Sequence, residues 1–258
     1  MVDIHQTAIV DPKSQLGENI EIGAYSTIKG DVIVGDGVTI GTGAYLDNGT
    51  RIGKNCAIGH YAMIGVQPQD VKYKNEKTYL EIGDGTIVRE FVSLHRGTTY
   101  HYKTVVGKKC FIMTYAHVAH DCIIGDNTII ANAVNMGGHV EIDENVTIGG
   151  LTAIHQFVKI GKYAFVGGGL RVRKDVPPYI RAGGEPIHFS GTNYIGLERK
   201  GFSKEVILEI KRAYRLIYQS KYTVSEAVKV IEKELKNYDE VKEIIAFIGR
   251  SDRGLIRG

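Results

Sequence analysis

The sequence predicts a mainly β solenoid: a triangular parallel β-helix over residues 1–184, followed by a small α-helical domain over residues 185–258. Three observations carry this prediction. An aliphatic, mostly branched, falls on the six-residue step from Ile4 to Val166, through Ile22, Ile40, Ile58, Ile82, Val106, Ile124, Ile142 and Ile160, and the phase survives two interruptions. The next residue is often Gly, as at Gly17, Gly41, Gly83 and Gly125, and two residues earlier stands something small or β-branched, such as Ala8, Ser26 or Ala44. After Val166 the beat stops, Pro177-Pro178 and Gly183-Gly184 mark a linker, and the apolar spacing becomes helical. A six-residue unit is too short to fold alone, so such units must stack.

One inward aliphatic per six residues describes a short strand followed by a turn, and three such strands close one coil of about 18 residues, stacked roughly 4.8 Å above the last. Two windows interrupt the coil. Stepping by six from Ile64 lands on Asp70 and Glu76, and an unpaired carboxylate in an apolar column is costly, so the chain is expected to leave the coil in an external loop near residues 66–80. A second loop is expected near residues 96–104, around Tyr100. Beyond the linker, Ser203 can cap a helix running to about Tyr218. Thr223 with Glu226 reads as a capping box, and Val241, Ile244, Ile245 and Ile248 stripe a third helix. Helices of this kind can cover the open end of the coil.

The 258 residues are 43% apolar and carry a net charge of +3. No apolar run approaches membrane-spanning length and Met1-Val2-Asp3 does not resemble a signal peptide, so a cytoplasmic protein is expected. Cys56, Cys110 and Cys122 all fall on the small-residue position of the repeat, which makes them core filler rather than disulfide partners or metal ligands. The charge is uneven: residues 1–169 carry 14 basic against 17 acidic groups (−3), and the remainder 18 against 12 (+6). A basic C-terminal region suits an acidic partner. Neither a groove-reading motif nor an aromatic-and-basic platform points to nucleic acid.

Between Val106 and Val166 the repeat is unbroken, so stacking follows from adding 18. His139 then falls over Asp121, Gly138 over His120, and Gln156 over Gly138, with His155 beside Gln156 and His117 three residues before His120. Several histidines converging across a glycine gap suit general-base chemistry, since imidazole takes a proton near neutral pH and a neighbouring carboxylate, here Asp121, can orient the ring. The Gly138 N–H could serve a developing oxyanion. No Gly-x-Ser-x-Gly elbow or reactive cysteine competes, which favours direct transfer between two bound substrates over a covalent intermediate. Three clustered histidines could instead hold zinc.

The segments Gln69-Asp70-Val71-Lys72-Tyr73, His95-Arg96-Gly97-Thr98, Ala116-His117-Val118-Ala119-His120-Asp121-Cys122, Gly138-His139-Val140, Ala153-Ile154-His155-Gln156-Phe157, Asp175-Val176-Pro177-Pro178-Tyr179 and Arg250-Ser251-x-Arg253-Gly254-Leu255-Ile256-Arg257 together span nearly the whole chain. In this set the sequence resembles the acyl-[acyl-carrier-protein]–UDP-N-acetylglucosamine O-acyltransferases of lipid A biosynthesis. The resemblance implies a left-handed coil, a homotrimer with sites between subunits, and no metal or organic cofactor. It implies transfer of a 3-hydroxyacyl group from acyl carrier protein to the 3-OH of UDP-N-acetylglucosamine, with His120 as base, Asp121 supporting it and Gly138 serving the oxyanion. Asp70, Lys72, His117, His139, His155 and Gln156 would line the substrate cleft, and Asn193 and Arg199 would reach the nucleotide. Gly168 matches a position where a bulky side chain would shorten the acyl pocket. Ile195 stands where relatives can carry Glu, and Lys200 where an Arg is familiar, which puts the nucleotide contacts there in question. The alternatives are a related transferase using a 3-amino sugar nucleotide, a zinc-dependent carbonic-anhydrase-like solenoid, and a scaffold without catalysis.

Overall fold

A computed structural model describes residues 2–258. The fold is a left-handed parallel β-helix with a C-terminal helical domain. Among the described residues the strands form three sheets, here faces A, B and C, of eleven, nine and eight strands. The chain visits A, B and C in turn, so Glu21–Ile22 on face A pairs in parallel with Thr39–Ile40 eighteen residues on. Each face contributes one inward aliphatic per coil, and the buried column runs through Ile22, Ile40, Ile58, Val88, Ile112, Ile130 and Ile148 on face A alone. Ile4, on the outermost described strand of face A, is 43% exposed.

The small-residue position is equally buried, and it accommodates Cys56, Cys110 and Cys122 as free thiols. Burial pushes all three thiols up, Cys122 to about 12. Each S–H approaches a backbone carbonyl of the neighbouring coil, at 3.2 to 3.3 Å. These are packed core groups, not reactive ones.

Both external loops appear where inward carboxylates and the Tyr100 window break the beat. Face B runs through Met63–Val66, the chain leaves, and face C resumes at Tyr79–Ile82. The second excursion lies between Ser93–His95 and Lys103–Val106. Both depart from the edge between faces B and C. The register absorbs them in whole repeats: Ile58 pairs with Val88, thirty residues on, and Leu94 with Val118, twenty-four on.

The coil continues beyond Val166, since Val172 is still buried on face B and Val176 bridges to Ile160. The segment after the linker is not wholly helical. Ile180–Gly183 joins face A beside Phe165–Val166 and returns as an antiparallel hairpin with His188–Thr192, so residue 184 lies in the hairpin turn. Four helices follow: α1 (Tyr194–Arg199), α2 (Lys204–Gln219), α3 (Val224–Glu234) and α4 (Asp239–Gly249). Ser203 caps α2 and the Thr223–Glu226 capping box opens α3. The Tyr214 hydroxyl of α2 donates to the Pro178 carbonyl at 2.6 Å, and buried Asp175 accepts from the Lys159 N–H and the Ser251 hydroxyl, tying helices and tail to the last coil.

Candidate active site

At each edge of the prism one residue takes a left-handed backbone conformation to turn the corner. On the edge between faces B and C that position is held by Asp121 (φ 59°), His139 (φ 61°) and Phe157 (φ 63°). Asp and His tolerate this conformation better than most residues. The result stacks their side chains: the Asp121 carboxylate lies 3.9 Å from His139 Nδ1, and the His139 and Phe157 rings stack at 4.4 Å. His120, Gly138 and Gln156 precede them on successive coils. A Cβ at Gly138 would lie 2.6 Å from His120 Cε1 and 2.8 Å from Nε2, so the glycine is required for the imidazole to lie where it does.

Asp121 is 1% exposed, yet every side of its carboxylate is satisfied. Oδ1 accepts from the Thr98 N–H at 2.9 Å and the His101 N–H at 3.1 Å, while Oδ2 accepts from the Thr98 hydroxyl at 2.7 Å. The remaining contact is His120 Nδ1 to Oδ2 at 2.8 Å. Burial alone would raise the carboxyl's pKa, but the hydrogen bonds from His120, Thr98 and His101 outweigh it and hold Asp121 at about 2. An ionised carboxylate can only accept, so the neutral form of His120 carries its proton on Nδ1 and has its lone pair on Nε2, a tautomer assigned from the network.

The second loop therefore builds the site as well as covering it. Thr98 and His101 hold Asp121, Thr104 accepts the Asp121 N–H at 2.8 Å, and Tyr100 packs edge-on to His139 at 4.5 Å. The first loop is pinned from beneath by Arg96, which donates to the Asp47 carboxylate at 3.0 Å, the Gly65 carbonyl at 2.7 Å and the Tyr73 hydroxyl. Asp70 of that loop is near enough to His139 to act on it electrostatically, while Lys72 is exposed, its N–H turned onto Asp70.

His117 points outward from face B one strand before the corner, with Nδ1 2.8 Å from the Ser93 hydroxyl. His95 lies beside it, ring to ring at 5.0 Å, with Nδ1 2.5 Å from the Gln67 carbonyl. Burial and the neighbouring His95 and His120 bring His117 down to about 4, and burial also lowers His95 and His139. His117, His95 and His139 are thus neutral at neutral pH. His155 and Gln156 are exposed on the next coil.

Three expected site residues lie elsewhere within one chain. Asn193 donates through Nδ2 to the Tyr163 carbonyl on the edge between faces C and A, and Arg199 is exposed at the end of α1 beside it. Lys200 reaches Asn145 Oδ1 on that same edge at 2.9 Å. Gly168 is exposed on the edge between faces A and B, where a Cβ would come 3.0 Å from the Gly150 carbonyl oxygen. A full face of the prism separates each from His120, because successive corners of one coil point in different directions.

Comparison with known proteins matches this architecture along its length. Residues 175–256 match a family model described as "Udp N-acetylglucosamine O-acyltransferase; Domain 2", and residues 13–48, 31–65 and 103–138 match the bacterial transferase hexapeptide model. The chain is 42% identical over 258 residues to an acyl-[acyl-carrier-protein]–UDP-N-acetylglucosamine O-acyltransferase from Halorhodospira halophila, covering 100% of both chains. It is 41% identical, again over 100% of both, to one from Thermodesulfovibrio yellowstonii. Among solved structures, the UDP-N-acetylglucosamine acyltransferase of Bacteroides fragilis superposes with a TM-score of 0.96 at 42% identity, covering 98% of this chain and 100% of that one. The Francisella novicida UDP-N-acetylglucosamine acyltransferase gives 0.96 at 33% identity, covering 100% and 94%. With identity and fold both sustained from one end to the other, the chain belongs to the acyl-[acyl-carrier-protein]–UDP-N-acetylglucosamine O-acyltransferase family and is an acyltransferase.

Proposed function

We propose that the chain transfers a 3-hydroxyacyl group from acyl carrier protein to the 3-OH of UDP-N-acetylglucosamine, the opening step of lipid A biosynthesis, with His120 as general base. The observation that carries this reading is the buried hydrogen bond between His120 Nδ1 and ionised Asp121, which leaves Nε2 as the proton acceptor at the Gly138 gap. In this reading Nε2 takes the 3-hydroxyl proton as the sugar oxygen attacks the thioester carbonyl, and Asp121 stabilises the imidazolium that forms. The proton then passes to the departing thiolate, and no covalent enzyme intermediate is formed. The Gly138 N–H, which donates to no backbone carbonyl among the described residues, is free to meet the tetrahedral oxyanion.

Neutral His117, steadied by Ser93, would hydrogen-bond the substrate from face B, and His139, Asp70, Lys72, His155 and Gln156 would complete the cleft. Asn193, Arg199 and Gly168 lie on other edges, so they reach the same substrates only if neighbouring subunits contribute them, which supports a homotrimeric assembly with sites between chains. Gly168, having no side chain, favours the longer acyl donors.

The test is transfer by the metal-free protein from a panel of 3-hydroxyacyl carrier proteins to UDP-N-acetylglucosamine, beside His120→Ala. The expected result is O-acylated product from the wild type and a loss of about 10²–10⁴-fold in the variant. Full activity in His120→Ala would refute the assignment of the base, and absence of product with every donor would refute the reaction.

A further inference from the structure

The same corner has a second chemical capacity. His120, Asp121 and His139 each present one donor atom within 4.8 Å of the others. His139 Nδ1 is buried and has no hydrogen-bond partner, although the Asp121 carboxylate lies 3.9 Å away. A buried ring nitrogen without a partner forfeits hydrogen-bond energy, and a divalent cation seated between it and the carboxylate would supply that partner.

The distances fit a transition-metal ion. With bonds of 2.0–2.1 Å, the ligand atoms of a tetrahedral zinc site lie about 3.3 Å from one another. The observed separations of 2.8 Å (His120 Nδ1 to Asp121 Oδ2) and 3.9 Å (His139 Nδ1 to Asp121 Oδ2) bracket that value, and the two histidine donor atoms lie within 4.8 Å of each other, so rotation of the two imidazoles brings the three atoms onto one ion. Two imidazoles and one carboxylate suit Zn²⁺ or Co²⁺ rather than Mg²⁺ or Ca²⁺. Thr98 and His101 already orient the carboxylate from its far side, as outer-shell groups do in metal sites.

We propose that the His120–Asp121–His139 corner binds a divalent transition cation of the zinc class, and that this cation is an inhibitor of the transferase rather than a cofactor. The inhibition follows from proton bookkeeping. The cation takes the position of the proton between His120 Nδ1 and Asp121, and that proton is retained by the imidazole on Nε2. The metal-bound ring is then a donor where the reaction needs an acceptor. The ring's proton count is unchanged: its Nδ1–H bond is exchanged for an Nε2–H bond, and three coordination bonds to the cation form. The binding half stands on its own, while the inhibitory half rests on His120 Nε2 being the base.

Co²⁺ serves as the probe because its visible d–d absorption reports coordination without reference to activity. Metal-free, full-length protein titrated with Co²⁺ should develop visible bands that saturate at one ion per chain and disappear when Zn²⁺ is added. His139→Gln and His120→Ala should each weaken Co²⁺ binding roughly tenfold or more, and His188→Gln, an exposed histidine far from the corner, should not. Zn²⁺ should abolish transfer in proportion to occupancy, and a chelator should restore it. Absence of the bands, or bands of unchanged affinity in both His139→Gln and His120→Ala, overturns the site. Using two ligand variants keeps the test decisive should one fail to fold. Full occupancy with transfer intact overturns the inhibition. Failure of the metal-free protein to transfer any acyl group would instead count against the proposed reaction, and the Co²⁺ spectrum would still decide the site.

Discussion

Along the edge between faces A and B, the left-handed corner position carries, beside Gly43 and the part-exposed Ala133, the exposed Tyr25, Tyr61, Phe91, Tyr115 and Leu151. Along the edge between faces B and C it carries Asp121, His139 and Phe157 beneath two loops. The backbone turn is the same at both edges, and at both a glycine precedes the corner residue, Gly150 before Leu151 and Gly138 before His139. On the first edge the rings merely stack on one another, Tyr61 on Phe91 at 5.4 Å and Phe91 on Tyr115 at 5.2 Å. On the second, the loops exclude water from a carboxylate and replace its hydration with fixed donors. Corner geometry therefore creates positions of equal potential, and a loop over the corner turns one of them into a candidate site.

That comparison can be broken most forcefully at Asp121. Asp121→Asn keeps the size of the side chain but presents an amide N–H to His120 Nδ1, which forces the ring proton onto Nε2. Transfer should fall about 10³–10⁴-fold with a near-normal melting temperature; a loss below tenfold would mean the tautomer does not matter. Arg96→Leu removes the pin under the first loop and leaves the half-buried Asp47 carboxylate unpaired, which should cost about 3 kcal/mol. Denaturant unfolding and faster proteolysis within residues 67–77 would register it.

The glycine pair sharpens the comparison. Gly138→Ala drives a methyl into the His120 ring and, with His120 as the proposed base, should lower turnover about 10²-fold, the usual consequence of misplacing a reacting group by an ångström. At Gly150 a Cβ would come 3.0 Å from the Asn132 carbonyl oxygen and no nearer than 3.8 Å to anything else, with no imidazole in its way, so Gly150→Ala should leave turnover far less affected. Equal losses from the two would show that the corner, not its loops, carries the function.

A gentler effect is expected from pH. His117 titrates near 4 in the folded chain against 6.5 when free, so between those values the unfolded state binds the extra proton. His117's contribution to stability is therefore fully present above pH 6.5 and is lost as pH falls from 6.5 towards 4. His117→Gln should flatten that part of a stability–pH profile. Smallest of all, Phe91→Ala on the aromatic edge should change the stability of the isolated chain by about 1 kcal/mol or less, because its ring is exposed and gains only stacking.

The coil was legible because its period is a physical requirement: an aliphatic off phase would point to solvent, and a carboxylate on phase, as at Asp70, must force the chain outward. The stacking of His120, Gly138 and Gln156 followed from the unbroken stretch above Val106. What escaped the sequence lies across the interruptions. Thr98 and His101 reach Asp121 from the second loop, which adds six residues to the coil and puts strand partners 24 residues apart instead of 18; counting by 24 across that break would have brought Thr98 beside the corner. Helix α1 was hidden by its shortness, and the hairpin ending in His188–Thr192 by its lack of the six-residue beat. Asn193 and Arg199 were named by resemblance only, and nothing in their spacing ties them to His120.

The two excursions lengthen the register by twelve and by six residues and then rejoin the same phase. Such a chain behaves like a rack with detachable fittings. Material can be added, removed or exchanged at that edge in whole hexads while every downstream aliphatic still finds the column. A different acceptor or donor could thus be accommodated by re-cutting one loop, with the scaffold that orients the imidazole left untouched.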